Sequence, residues 1–203
     1  LPSEVTGDNT TQRIEMIAPL LNAYDVVGIQ EDWMDEIHTI LLEQIDKPIK
    51  RRFDDIIRGA SGSGLSLFSI GKAIDDSDFH YQDCYGTLTN SNDCLASKGL
   101  QTTRVEIEAG VEIDFYNTHL DAGGGDEDAA ARQTQVEEIL NHIESWSENR
   151  PIVFTGDFNL HATDPVDAAL LERLEVEGNL RDACNELSCE ESNHIDRIFL
   201  KNG

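Results

Sequence analysis

Four short segments place acid, amide or imidazole side chains at the point where an apolar run ends. They are residues 30–31 (QE), 117–119 (NTH), 157–159 (DFN) and 194–196 (HID). The apolar runs have the character of buried strands, so we expect these side chains to line the rim of a sheet, where α/β proteins bind ligands. One polar strand end usually means only that the chain meets solvent. Four ends with these residue types indicate a site for a metal ion and a phosphate.

The carboxylates and the amide suggest different roles at such a site. Glu31 offers the hard oxygen ligand that Mg²⁺ prefers, and Mn²⁺ would accept the same ligand. Asp157 and Asn159 lie two residues apart, so on an extended strand they point the same way and could hold an attacking water and orient a phosphoryl oxygen. Each has an ordinary alternative, which is an exposed strand-end acid for Glu31 and a Gly-Asp turn for the pair.

His119 and Asp196 complete the candidate catalytic set. An imidazole titrates near neutral pH, so His119 could protonate a leaving group or bind a phosphoryl oxygen, although a lone histidine is more often structural. Asp196 could orient a histidine from elsewhere in the protein, and its alternative is an ion pair with Arg197 or another arginine. The sequence contains no G-x-S-x-G, H-E-x-x-H or P-loop motif, so other hydrolase schemes are excluded.

The elements that must position these side chains alternate along the chain. Apolar periodicity predicts helices over residues 10–23, 34–46, 129–146 and 164–174, and strands over 25–31, 65–70, 151–160 and 194–202. The first helix would be capped by Thr10 or Thr11. A hairpin over 99–120 turns at Ala109 and Gly110, and residues 75–97 have the composition of a long polar loop. The pattern predicts one α/β domain over residues 1–203 and excludes a purely parallel sheet.

The charge of the chain restricts its partners. Forty acidic and 15 basic residues give a formal net charge of -25. Such a surface repels polyanions, which argues against a protein that coats nucleic acid. It does not exclude an enzyme that reaches one phosphate through a metal ion. Arg51, Arg52 and Arg58 form the only local basic cluster, a weak candidate for DNA contact. No run approaches the ~18 consecutive apolar residues of a membrane helix.

The four cysteines form two couples that are close in sequence, Cys84 with Cys94 and Cys184 with Cys189. Disulfides are favoured over free thiols or a zinc site, because the spacings lack paired C-x-x-C ligands and no histidine lies at a matching distance. Disulfides in turn favour an oxidising environment, so we expect a secreted or extracytoplasmic protein.

With these residues the sequence resembles the endonuclease/exonuclease/phosphatase superfamily, the group of DNase I-like nucleases, inositol-phosphate phosphatases and neutral sphingomyelinases. The matching motifs follow the family's order and cover most of the chain: VVGIQE, GLSLFSI, NTHLDAG, TGDFNL and HIDRIFL. The resemblance implies a four-layer α/β sandwich with two sheets packed face to face. It also implies Mg²⁺-dependent hydrolysis of a phosphoester by in-line attack of water.

The resemblance also implies a role for each candidate residue. By similarity, Glu31 would bind the metal, and Asp157 with Asn159 would position the water and the phosphate. His119 would contact the scissile phosphate, and Asp196 would support a second histidine. The family has a first strand that ends in Asn and a terminal Ser-Asp-His motif. Neither is found in these 203 residues, so we expect a fragment of a longer enzyme that lacks the first and last strands of the sandwich.

The substrate class is suggested by the run DCLASKG, residues 93–99. It is most similar to secreted bacterial members related to sphingomyelinases. Lys98 would reach the phosphate, and Asn117 would be a further substrate contact. We therefore expect a sphingomyelin-type or other phospholipid headgroup as substrate. The close alternative is a DNase I-like endonuclease, and a further alternative is a non-catalytic relative that acts as a binding module.

Overall fold

The computed structural model describes residues 9–86, 93–189 and 194–203. Its α-helices are α1 Thr10–Ile17, α2 Asp35–Gln44, α3 Asp126–Trp146, α4 Pro165–Val176 and α5 Ala183–Leu187, with 3-10 helices at Ala18–Ala23 and Asp93–Leu95. Its strands are β1 Val26–Ile29, β2 Ile49–Phe53, β3 Leu65–Ser69, β4 Lys72–Asp76, β5 Phe79–His80, β6 Gly99–Glu108, β7 Val111–His119, β8 Ile152–Asp157, β9 Arg181–Asp182 and β10 Asp196–Lys201.

The strands form two sheets. The small sheet has the order β1-β3-β2, and the large sheet has the order β4-β6-β7-β8-β10-β9, with β5 paired to β6. All of these pairs are antiparallel except β7 with β8. Because β7 and β8 run in the same direction, their carboxyl ends reach the same rim of the large sheet.

Three apolar clusters arrange the helices and sheets in four layers. One joins α2 and the first helices to the outer face of the small sheet, through residues such as Leu41 and Phe68. A larger one joins α3 and α4 to the outer face of the large sheet, through Ile139 and Phe154. The third fills the space between the two sheets: Ile49, Leu67, Val105 and Phe115. Burial of one such side chain contributes about 1.5–3 kcal/mol. The predicted α/β sandwich with two facing sheets is confirmed.

The first and third predicted helices begin or end differently from the expectation. The first stays α-helical only as far as the 3-10 helix that contains Pro19, because proline has no N–H to continue the ladder. Its N-cap is Asn9, whose side chain accepts from the Gln12 N–H, so the expectation of Thr10 or Thr11 is wrong. The helix predicted from residue 129 begins three residues earlier, at an acidic first turn that suits its positive end.

The prediction of a loop over residues 75–97 is wrong for its first part, where β4 and β5 lie; residues 87–92 lie outside the described residues. β2 was also not expected. Both β2 and β4 are edge strands rich in charge, and Arg51 of β2 donates to the Asp76 carboxylate of β4 at 2.8 Å. Charged edge strands protect a sheet from pairing with other chains, and they lack the apolar alternation that sequence reading depends on.

Both predicted disulfides are present, Cys84–Cys94 and Cys184–Cys189. Within the described ranges no cysteine is free. The helices described here include none that is both long and apolar enough to cross a bilayer.

Candidate active site

The predicted strand-end side chains meet at one rim of the large sheet. β7 lies beside β8 with His119 opposite Asp157. β10 lies on the other side of β8 with Asp196 opposite Asp157. At this rim β7 ends in His119, β8 ends in Asp157 and the antiparallel β10 begins with Asp196, so Asp157 lies in the middle. Glu31 follows β1 of the small sheet, and its charge acts on Asp157 from that side.

Asp157 is surrounded by negative charge at this rim. Burial raises its pKa above the usual range, and the carboxylates of Asp196 and Glu31 raise it further. The Asn159 N–H, which donates to Asp157 Oδ1 at 3.0 Å, and the Lys98 ammonium act in the opposite direction. Carboxylates crowded in this way are stabilised by a bound cation.

The Asp157–Asn159 pair is held by a turn. β8 ends at Asp157, and Asn159 has φ 49°, in the left-handed region that asparagine tolerates better than most residues. The expectation that the two side chains point the same way along an extended strand is therefore wrong. Their link is instead the 3.0 Å bond from the Asn159 N–H to Asp157 Oδ1, and Asn159 Nδ2 donates to the Leu120 carbonyl at 3.0 Å. The turn fixes the orientation of the Asp157 carboxylate.

His119 is 5% exposed, and its Nε2 lies 3.7 Å from Asp157 Oδ2. Its Nδ1 is buried and has no hydrogen-bond partner among the described residues. The ring stacks on Trp33 with centroids 6.5 Å apart. Burial lowers the pKa of His119 to about 3, and the nearby Lys98 charge adds to the effect. The imidazole is therefore neutral at pH 7, which suits a hydrogen-bond donor better than a proton donor.

Lys98 is buried beside the rim. Its Nζ donates to the Leu120 carbonyl at 2.7 Å and forms an ion pair with Asp93. Leu120 O thus accepts from both Lys98 and Asn159. The ammonium is therefore buried and paired, not solvated, and its contact with a phosphate stays a prediction. Its positive charge acts on both His119 and Asp157.

Asn117 is fully buried between the two sheets, two residues before His119 on β7. Its Oδ1 accepts from Gln30 Nε2 at 2.6 Å, and its Nδ2 donates to the carbonyls of Ile29 at 3.0 Å and Ser66 at 3.1 Å. These contacts use both ends of the amide to join the small sheet to the large one. The role of Asn117 as a substrate contact stays a prediction.

Sequence reasoning missed Asp32 and Trp33, which follow Glu31. Asp32 is 1% exposed, and its Oδ2 lies 2.6 Å from both Ser66 Oγ and His38 Nδ1. Trp33 lies over the His119 ring. No local signal marks either residue, because their partners come from α2, β3 and β7. The packing of these three elements around the segment brings the groups together.

Asp196 is exposed, and it forms no ion pair with any described residue. Arg197 pairs with Asp182 instead, at 2.6 Å, and also contacts His194 Nε2 at 3.1 Å. The alternative that Asp196 forms an ion pair with Arg197 is therefore wrong. Its carboxylate is left facing the rim beside Asp157.

The three arginines considered for DNA contact already have partners within the protein. Arg51 pairs with Asp78 at 2.7 Å, and Arg52 pairs with Asp35 at 2.6 Å. Arg58 donates to a backbone carbonyl and to a disulfide sulfur. A phosphate backbone would have to displace these partners, so the cluster is a poor polyanion site.

A hard divalent cation fits the donor set at the rim. Glu31 is exposed, and its carboxylate is an oxygen donor next to two further carboxylates. In the part of the chain that the structure describes, no three His, Cys, Asp or Glu side chains enclose a metal site by themselves. Mg²⁺ usually takes one or two protein carboxylates and completes its shell with water and substrate oxygens. An open site of this kind matches that habit.

A cavity of about 600 Å³ opens beside Asn159. It is lined by the glycine loop 123–125, the start of α3 and residues of the turn before α4, including His161 and Asp164. The first turn of α3 carries acidic side chains, and the Asp128 carboxylate already accepts from the Gly125 N–H at 2.9 Å. An anion is therefore disfavoured at this helix end.

Comparison with known proteins gives a family and a set of relatives. The profile described as "Endonuclease/Exonuclease/phosphatase family 2" matches residues 11–199. A sphingomyelinase from Mycobacterium tuberculosis is 27% identical over 206 residues, which cover 92% of this chain and 39% of the relative. The chain thus spans about two fifths of the length of the first curated relatives it matches.

Solved structures show the same fold. The crystal structure of SmcL superimposes with a TM-score of 0.78 and 18% identity, over 100% of this chain and 80% of that chain. A Staphylococcus aureus beta toxin variant with bound magnesium ions superimposes with a TM-score of 0.75 and 16% identity, over 99% and 80%. At these identities the likeness concerns the fold.

Proposed function

Because the chain belongs to the endonuclease/exonuclease/phosphatase family, we propose that it is a metal-dependent phosphoester hydrolase. The observation that carries the proposal is the row of His119, Asp157 and Asp196 on three neighbouring strands, with Glu31 acting on it from the facing sheet. The profile match over residues 11–199 supports treating residues 1–203 as one domain.

Glu31 is the proposed ligand of Mg²⁺ or Mn²⁺, and such an ion would supply stabilisation of negative charge on a phosphoryl oxygen. Asp157 holds the attacking water and accepts its hydrogen bond, since its carboxylate is fixed by the Asn159 N–H. Its raised pKa makes it a better proton acceptor than an ordinary aspartate. Asn159, through its side chain, helps to orient the phosphate beside this water.

His119 and Lys98 act on the phosphoryl group. His119 is neutral at pH 7, so it donates a hydrogen bond to a phosphoryl oxygen and leaves proton transfer to other groups. Lys98 contributes a fixed positive charge close to the same position. Asp196, exposed at the next strand end, orients a histidine supplied by another part of the protein.

We favour a zwitterionic phospholipid headgroup as substrate, and sphingomyelin in particular. The relatives named as sphingomyelinases support this choice, and so does the cavity beside Asn159, whose acidic lining suits a cationic group linked to the phosphate. The net charge of -25 and the occupied arginines argue against nucleic acid. The two disulfides support the proposal that the protein is secreted.

The experiment compares cleavage of sphingomyelin, bis-nitrophenyl phosphate and plasmid DNA by the full-length protein, with Mg²⁺ and with a chelator. Asp157→Ala should lower kcat by at least about 100-fold, as loss of a central catalytic group does. Asp46→Ala, an exposed aspartate away from the rim, is the control and should keep full activity.

The outcomes separate the candidate functions. Preferred cleavage of sphingomyelin supports the headgroup substrate, and preferred cleavage of DNA would identify the nuclease alternative. A wild-type protein that cleaves none of the three, or an Asp157→Ala variant as active as the wild type, contradicts the catalytic proposal and leaves the binding module.

A further inference from the structure

Glu31 has an unusual backbone conformation for its residue type. Its φ is 63°, in the left-handed region, which costs a residue with a Cβ about 1–2 kcal/mol. Glu31 is also exposed, so packing of its own side chain does not hold it there. Strain of this kind persists only where the surrounding structure fixes the backbone. The fixing contacts must therefore come from its neighbours in the chain.

Asp32, the next residue, is fixed by contacts from three elements. Its N–H donates to the Gly64 carbonyl at 2.9 Å, and its own carbonyl accepts from Arg52 at 2.9 Å and 3.2 Å. Its Oδ2 accepts from Ser66 Oγ at 2.6 Å and lies 2.6 Å from His38 Nδ1. Backbone and side chain are thus held at the same time, and the peptide between Glu31 and Asp32 has no freedom to rotate.

Trp33 extends the same arrangement to the large sheet. A Cβ on Gly64 would lie 2.2 Å from Trp33 Nε1, so the indole is packed directly on the Gly64 backbone. The indole also stacks on the His119 ring. Glu31 thus places a carboxylate at the rim, Asp32 is the buried residue that fixes the backbone, and Trp33 contacts the His119 ring.

We propose that Asp32 is a positioning residue that holds the Glu31 carboxylate in place for the metal ion, and that it needs the hydroxyl of Ser66 to do so. The inference rests on the proposed function, because it takes Glu31 as the metal ligand. A buried carboxylate is costly to desolvate, and an apolar residue would fill the same space more cheaply. A role in fixing the backbone at Glu31 explains why a carboxylate is present at position 32.

Ser66→Ala tests this without touching the rim. It removes the hydroxyl that donates to Asp32 and leaves the Ser66 carbonyl, which Asn117 uses, unchanged. Ser69→Ala is a matched control, since Ser69 is equally buried on the same strand and its hydroxyl donates to the adjacent Ile70 carbonyl, its one hydrogen bond among the described residues. The readout is the Kd for Mn²⁺ alone, followed by the electron paramagnetic resonance signal of free Mn²⁺, together with the free energy of unfolding.

We expect Ser66→Ala to weaken Mn²⁺ binding by about tenfold, the lower end of the effect of removing groups that orient metal ligands. Ser69→Ala should leave the Kd unchanged. Glu31→Gln provides the reference for loss of the ligand itself. Both serine variants should stay folded, so a difference in Kd between them reports on positioning and not on general stability.

The reference variant separates the two ways of failing. If Glu31→Gln weakens Mn²⁺ binding and Ser66→Ala binds as tightly as the wild type, the inference is overturned and the proposed metal ligand stands. An equal loss of affinity in Ser66→Ala and Ser69→Ala overturns the inference too. If Glu31→Gln binds Mn²⁺ like the wild type, the metal role of Glu31 is refuted and the inference falls with it.

Discussion

Replacing Asn117 by alanine removes the buried amide that joins the two sheets below the rim. Three hydrogen bonds are lost from a fully buried amide, and their partners, half-buried Gln30 and the carbonyls of Ile29 and Ser66, are left without Asn117. Each lost bond of this type costs about 1 kcal/mol net. We therefore expect the free energy of unfolding to fall by about 3 kcal/mol and Tm by about 6–12 °C, given ~2–4 °C per kcal/mol at this chain length.

Urea unfolding, followed by tryptophan fluorescence, measures this loss. The control is Asn22→Ala, because the Asn22 amide also makes two hydrogen bonds, to the Gln44 carbonyl and from the Asp46 N–H, but is exposed. Water replaces those partners, so the control should lose about 1 kcal/mol or less. An Asn117→Ala variant with wild-type stability and a raised KM would refute the reasoning and would favour the predicted substrate contact.

Two further predictions concern other positions in the interior of the protein. Gly28→Ala would place a Cβ 2.2 Å from Thr155 Oγ1 and 2.8 Å from Asn117 Oδ1, so it should lower the free energy of unfolding by about 1–3 kcal/mol; a neutral effect in urea unfolding would show that the sheets can separate there. Burial raises the pKa of Asp121 from 3.8 to about 6, so the folded state binds the proton of the Asp121 carboxyl group more tightly than the unfolded state does. The stability that comes from this protonation is complete below pH 3.8 and is lost as the pH rises through 6. The free energy of unfolding of the wild type, relative to that of Asp121→Asn, should therefore increase by up to about 3 kcal/mol as the pH is lowered from 7 to 4. A difference that does not change with pH would contradict this prediction.

The sequence was sufficient where a continuous apolar run ends abruptly in polar residues. β1, β3, β8 and β10 were predicted within a few residues, and the hairpin turns at Gly110, whose φ is 79°. Because β8 and β10 pair in one sheet with β7 of the hairpin, placing their ends also placed His119, Asp157 and Asp196 at one rim. The residue types at the strand ends were informative because the strand registers pair His119 with Asp157 and Asp196 with Asp157.

The rest depends on contacts between segments that are distant in the chain. β2 and β4 carry charged side chains that satisfy each other across the sheets, so no hydrophobic period marks them. The burial of Lys98 follows from an ion pair with Asp93 and a bond to the Leu120 carbonyl. The importance of Asp32 follows from its partners on other elements. Arg51 and Asp76, Lys98 and Leu120, and Asp32 and Ser66 lie 22 to 34 residues apart. A short window of sequence does not contain both members of such a pair, so reading along the chain does not find them.

The pairing of Arg51 and Arg52 with carboxylates has a kinetic consequence. With those cations already neutralised and a net charge of -25, the long-range field of the protein opposes the approach of any anionic surface. Added salt shortens the range of that field to about 10 Å at 0.1 M. Encounter with a negatively charged bilayer should therefore become faster as ionic strength rises, whereas encounter with a zwitterionic bilayer should hardly change. Long-range electrostatic repulsion would therefore select which bilayers the protein encounters, before any side chain at the rim makes contact.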